Sequence, residues 1–208
     1  EKTLLFSTGY QANLGVIKAL VGRDDNIISD KLNHASLIDG AILSRANFKR
    51  YTHKDYKNLE ELLKKLKEKN NLVISDSLFS MDGDHPNLKK IDTIVKSHKS
   101  LLLIDEAHAI GVYGERGKGL VHKNSLNNKK NIVITGTFGK AFGTFGAFLS
   151  GNYENVEYVL QKARSYTYST SLPVNAVEAT RKSLKIISSE DWRREKLFSL
   201  IDYYKKNI

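Results

Sequence analysis

The chain has 208 residues, 40% of them hydrophobic, which is enough to bury a core and excludes a disordered polymer. Lys and Arg total 33 against 23 Asp and Glu, a formal charge of +10 that brings an acidic partner into view: nucleic acid, a phosphorylated cofactor or a membrane surface. No apolar run reaches the ~18 residues of a membrane span, no basic start leads into an apolar signal-like core, and the absence of cysteine removes disulfides, thiolate zinc sites and a cysteine nucleophile and fits a reducing cytoplasm, the expected location.

In chain order, Tyr10, Leu14, Ile17, Leu20 and Val21 recur at helical spacing, and a short strand is expected at Asn26 to Ser29. His34 to Ser44 reads helical and Phe48 to Thr52 extended. Leu59, Leu62, Leu63 and Leu66 then repeat at i, i+3, i+4 and i+7 within the densest basic stretch, Lys54, Lys57, Lys64, Lys65, Lys67 and Lys69. That pattern is an amphipathic helix with a solvated lysine face, and only Tyr56 interrupts it, so it lacks the interleaved aromatics of a nucleic-acid stripe. Leu72 to Ser75 is an apolar strand; Leu88, Ile91 and Val95 mark a further helix. Leu101 to Ile104, Ile132 to Ile134 and Ala147 to Leu149 complete the strands, and Pro86 and Pro173 stand at the starts of helices. Continuous apolar strands separated by helices predict an α/β fold, with a mostly parallel sheet covered by helices on both faces.

In such a sheet, chemistry gathers at the carboxyl ends of the strands. Here Leu101 to Ile104 runs into Asp105, Glu106 and His108; Leu72 to Ser75 into Asp76 and Ser80 to Asp84; Ile132 to Ile134 into Thr135 to Lys140. Phosphate loops are excluded, because Gly117-Lys118 is followed by Gly119, Gly139-Lys140 has Ile134 where a glycine is required, and no G-x-G-x-x-G follows a strand. A metal is not expected, since no H-x-x-x-H or H-E-x-x-H pair occurs and His53, His85 and His98 fall in polar segments. Lys140 carries more weight, set after an apolar strand between Gly139 and Gly143. In an apolar pocket its amine would lose solvation, its pKa would fall, and it would become a usable nucleophile. A lysine, a carboxylate on a neighbouring strand end and a helix start with small residues are the three parts that pyridoxal 5'-phosphate (PLP) requires. Lys140, Asp105 and Ser7-Thr8-Gly9-Tyr10 supply them.

Several strings carry a family likeness: F-S-T-G-Y-Q-A-N at Phe6 to Asn13, D-K-L-N-H-A-S-L-I-D-G at Asp30 to Gly40, and S-L-F-S-M-D-G-D at Ser77 to Asp84. They continue with D-E-A-H-A-I-G-V-Y-G at Asp105 to Gly114, G-T-F-G-K-A-F-G at Gly136 to Gly143 and Y-S-T-S-L-P at Tyr168 to Pro173. In this order they resemble the α-oxoamine synthases, PLP-dependent fold-type-I acyltransferases of the class-II aminotransferase group. The resemblance implies that Lys140 joins the cofactor aldehyde and moves the substrate Cα proton, and that Asp105 keeps the pyridine nitrogen protonated. It implies that His108 and Ser80 bond near the phenolic oxygen, that His34 stacks on the ring, and that Gly9, Tyr10 and Thr137 hold the phosphate. Thr170 and Ser171 would reach the phosphate of a neighbouring subunit in a homodimer with shared active sites. Read from the residues alone, His34 also fits a helix cap, Ser80 a turn residue and Gly9 a backbone turn.

The strings read most like the branch that condenses L-alanine with a pimeloyl thioester, on CoA or a carrier protein, with loss of carbon dioxide; glycine-using branches share the catalytic set. A basic binding module that has kept the fold without catalysis is the competing class, against which Lys140, Asp105, His108 and His34 stand together. Complete family members are longer, so the chain is expected to be a partial enzyme. Residues 1–188 would form the PLP-binding large domain without its N-terminal segment, and 189–208 the start of a truncated C-terminal domain.

Overall fold

The computed structural model describes residues 1–66, 70–127 and 129–207; of the basic stretch, Lys67 and Lys69 lie outside the described residues. The elements run β1 (Lys2–Phe6), α1 (Gly9–Leu20), β2 (Asn26–Asp30), α2 (Ala35–Ser44), β3 (Asn47–Tyr51), α3 (Tyr56–Lys65), β4 (Asn71–Asp76), α4 (Leu88–Ser97) and β5 (Leu101–Asp105). They continue with α5 (Gly119–Lys123), β6 (Ile132–Thr137), β7 (Ala147–Gly151), α6 (Tyr153–Lys162), α7 (Arg164–Thr167), α8 (Val174–Ser189) and α9 (Trp192–Asn207). Among the described residues the strands form one sheet in the order β1-β7-β6-β5-β4-β2-β3.

The apolar runs are strands buried on both faces. Along them, side chains alternate between two cores: Ile27, Leu72, Ile74, Leu103 and Val133 pack on one side, and Ile28, Val73, Leu102, Ile104 and Ile132 on the other. Helices α1, α2 and α6 supply the first core through Val16, Ile17, Leu37, Val156 and Val159, while α3 and α4 supply the second through Leu59, Leu63, Ile91 and Val95. Each such side chain, fully withdrawn from water, contributes about 1.5–3 kcal/mol. On α3, Leu59 and Leu63 are buried and the lysines face outward, as the periodicity predicts.

The neighbours β3, β2, β4, β5 and β6 are parallel, and β7 pairs antiparallel with both β6 and β1. The chain places β3 on one side of β2 and β4 on the other, so the direction of winding reverses at β2 and β4 and leaves a crevice at their carboxyl ends. Helix α4 is capped by Asn87, whose side chain accepts from Lys90 N–H, one residue after Pro86, while Pro173 itself caps α8. α8 buries only Ile187, and α9 buries none of its residues. No described helix is long and apolar enough to cross a membrane.

Candidate active site

The reversal crevice is lined by carboxylates. Asp76 and Asp105 are register partners at the ends of β4 and β5, and both are buried. The ladder between β2 and β4 is extended by a side chain: Asn33 donates to Ile74 O at 2.9 Å and accepts from Asp76 N–H at 2.9 Å. This fixes the turn that delivers His34, whose backbone N–H donates to Asp76 Oδ2 at 2.7 Å. Asp105 Oδ1 accepts from Ala107 N–H at 2.8 Å, which draws the following loop back over the strand end. Burial first, and then the charge of Asp105, pushes the Asp76 carboxyl up to about 8. Burial likewise raises Glu106 to about 7, although its Oε1 accepts the N–H groups of Leu120 and Val121 at 3.2 and 3.3 Å.

Lys140 meets this cluster from the loop after β6. Its Nζ lies 2.7 Å from Nε2 of His108. Partial burial lowers the lysine pKa, opposed by the charges of Asp105 and then Asp76. Burial and then the lysine charge lower His108 as well, which favours a neutral imidazole able to accept from the ammonium. The sequence suggests an apolar pocket around Lys140, but the side chain is exposed over much of its surface. Its neighbours are the imidazole and two carboxylates, while in the loop from Phe138 to Phe145 Phe138 packs against Phe142 and against Phe148 of β7, and Phe145 is exposed.

At the start of α1, Thr8 caps the helix: its Oγ1 accepts from Gln11 N–H at 3.1 Å and its backbone oxygen from Ala12 N–H. The N–H groups of Gly9 and Tyr10 keep no partner among the described residues, which makes this helix start an anion cradle. Thr137 faces it, since a Cβ on Gly9 would lie 3.5 Å from Thr137 Cβ. Thr137 Oγ1 accepts from Gly139 N–H at 3.2 Å and donates to Gly146 O at 3.1 Å, so its hydrogen would have to turn from that carbonyl to meet an anion. The Tyr10 hydroxyl is tied to Asp39 on α2 at 2.5 Å. A lysine, a buried carboxylate on the adjacent strand and open helix N–H groups beside a threonine hydroxyl fit the three ends of PLP.

The other sequence candidates are distributed around this centre. His34 caps α2, its Nδ1 accepting from Ser36 N–H at 3.2 Å. Ser80 is exposed and makes no hydrogen bond among the described residues. Thr170 and Ser171 are exposed and, with Thr3 to Ser7, line a groove of about 840 Å³ along β1. His53, Asp82 and Asp84 approach one another, but both ring nitrogens of His53 are engaged by Asp30 and Asp84, at 2.9 and 3.1 Å. Burial lowers the His53 pKa, and these carboxylates more than reverse it, which favours the protonated ring; in that form both nitrogens donate and neither can ligate a metal.

Sequence reasoning missed Asn13, buried and 2.6 Å from Asp105 Oδ2 through its Nδ2. The available signal was a polar residue among Ala12, Val16 and Ile17 on the buried face of α1.

These features define a doubly wound α/β domain built to hold a phosphorylated aldehyde cofactor. A family profile described as aminotransferase class I and II matches residues 1–208, and the chain belongs to that family. It is 47% identical over 204 residues to an 8-amino-7-oxononanoate synthase of Saccharophagus degradans, covering 98% of this chain and 51% of that protein. It is 45% identical over 205 residues to the same-named enzyme of Nitrosococcus oceani, covering 99% and 54%. Among solved structures, a serine palmitoyltransferase variant from S. paucimobilis with a bound PLP–myriocin aldimine superposes with a TM-score of 0.90 at 34% identity, covering 95% of this chain and 51% of that one. An 8-amino-7-oxononanoate synthase from Francisella tularensis gives 0.85 at 32% identity, covering 98% and 59%. The chain thus spans about half the length of the curated relatives it matches.

Proposed function

We propose that this chain is the cofactor-binding part of a PLP-dependent α-oxoamine synthase in biotin biosynthesis, an 8-amino-7-oxononanoate synthase. The reaction joins Cα of L-alanine to the carbonyl carbon of a pimeloyl thioester, expelling the thiol and carbon dioxide. The observation that carries the reading is Lys140 against His108, beside the strand-end carboxylate of Asp105. PLP, when bound, supplies an electron sink for the electron pair left at Cα. Lys140 would hold the aldehyde end and would move the Cα proton. Asp105 would pair with the pyridine nitrogen, His108 and Ser80 would hydrogen-bond near the phenolic oxygen, and His34 would stack on the ring. The N–H groups of Gly9 and Tyr10 and the Thr137 hydroxyl take the phosphate.

The reading extends to a cytoplasmic homodimer in which exposed Thr170 and Ser171 reach the partner's phosphate, with 1–188 as the cofactor domain and 189–208 opening the next. The names of the relatives favour L-alanine over glycine as the amino acid.

The test is a visible absorption titration with PLP, for the wild-type chain and Lys140→Ala. A band present only in the wild type, changing on addition of L-alanine and not of glycine, is the expected result. A change with glycine alone points to a glycine-using synthase. Salt-sensitive nucleic-acid binding with no band overturns the enzyme reading in favour of a basic binding module.

A further inference from the structure

Asn13 sits one turn below Gly9 on α1, 1% exposed, and every strong hydrogen-bonding group of its amide is used. Nδ2 donates to Asp105 Oδ2 at 2.6 Å and to Ser36 Oγ at 2.9 Å, while Oδ1 accepts from Thr135 Oγ1 at 2.7 Å. The orientation of the amide follows from its partners. Turned over, it would set its oxygen against the Asp105 carboxylate, which has no hydrogen to give when ionised. Because Ser36 Oγ receives the amide hydrogen, its own hydroxyl hydrogen is free to donate to His34 Nδ1, 2.7 Å away. Ser36 N–H donates to the same nitrogen, so Nδ1 of His34 is the acceptor and the neutral ring carries its proton on Nε2.

One buried amide therefore joins the phosphate-cradle helix to three other elements: β5 at Asp105, β6 at Thr135, five residues before Lys140, and the His34 cap of α2. On the PLP reading above, we propose that Asn13 is a positioning residue, fixing the Asp105 carboxylate and, through Ser36, the His34 imidazole against the cofactor ring. It touches neither cofactor nor substrate. Its effect is to hold one oxygen of Asp105 and so determine which oxygen is left for the pyridine nitrogen.

The test compares Asn13→Leu and the shorter Asn13→Ser with Asn26→Leu, a control at an equally buried asparagine at the opposite end of the sheet. Each protein is titrated with PLP, and its Lys140-dependent visible band is followed across pH. Both Asn13 variants are expected to weaken PLP binding about tenfold, the scale of a lost hydrogen bond to a charged group. They should also move the pH midpoint of the band by about half a unit or more. Asn26→Leu is expected to lower Tm while leaving affinity and midpoint at wild-type values. Should Asn13→Leu fail to fold, Asn13→Ser gives the same reading. Wild-type affinity and midpoint in a folded Asn13 variant would overturn the inference and leave the PLP reading standing. Absence of the band in the wild type would overturn the PLP reading, and the inference with it.

Discussion

The two ends of the sheet carry related side chains that solve different problems. At the amino ends, the first residues of β3, β2 and β4 are asparagines: Asn47 donates to Asn26 and Asn26 to Asn71, each at 2.9 Å. At the carboxyl ends stand Asp30, Asp76, Asp105 and, one residue on, Glu106. An amide offers donors and an acceptor and so can satisfy its own kind, whereas a carboxyl group has two oxygens to satisfy and at most one hydrogen to give, and must recruit donors. It recruits them from the loops. Asp30 takes the N–H groups of Leu32 and Lys54, Asp76 that of His34, Asp105 that of Ala107, and Glu106 those of Leu120 and Val121. The amide end ties strand to strand, while the carboxylate end ties the loops bearing His34 and His108 into one crevice, where Lys140 meets His108.

Replacing the carboxylates one at a time sharpens that contrast. Asp105→Asn keeps the size and the acceptor for Ala107 N–H but removes the charge and sets an amide N–H against Asn13 Nδ2, and on the PLP reading turnover is expected to fall on the order of 100-fold. Steady-state kinetics of the PLP-loaded enzyme, alongside a thermal melt showing an intact fold, provide the check. Turnover close to wild type would mean that neither the charge of Asp105 nor its bond to Asn13 serves the reaction.

Glu106→Ala strands two buried N–H groups at the start of α5, at a cost of about 1–3 kcal/mol for each unmet donor. Urea unfolding should show the loss. A midpoint equal to wild type would mean that water replaces the carboxylate, and that the loop does not depend on it.

The smallest effect is expected from Asp76→Asn, which retains an acceptor for His34 N–H. Asp76 titrates near 8 in the folded chain against 3.8 in its ordinary state, so between those values the folded state holds a proton that the unfolded chain has released. Its contribution to stability is complete below the unfolded value and is lost as the pH rises through the folded one. Wild-type Tm should therefore drop between about pH 5 and about pH 8 by a few degrees more than that of Asp76→Asn. Parallel curves for the two proteins would remove Asp76 as the source of the slope.

Local pattern made much of this legible. The apolar runs at Leu72, Leu101 and Ile132 are strands because only a two-sided burial tolerates them, and the acids that follow them stand at the carboxyl ends as a consequence. Lys2–Phe6 escaped notice because an edge strand exposes alternate residues, with Leu5 outward, and so shows no continuous apolar run. Helix α6 escaped because its buried contribution is only Val156 and Val159 amid polar residues.

The sequence by itself determined the α/β class, the positions of the central strands and the identity of the chemical groups at their ends, since all three follow from spacings within a few residues. Tertiary structure alone decided that β7 enters antiparallel between β1 and β6, that Lys140 meets an imidazole and carboxylates instead of an apolar wall, and that Asn13 holds Asp105. The Asn13 partners lie 23, 92 and 122 residues away along the chain. Hydrogen bonds across such separations depend on where the packed elements place their side chains, and no local period or propensity encodes that.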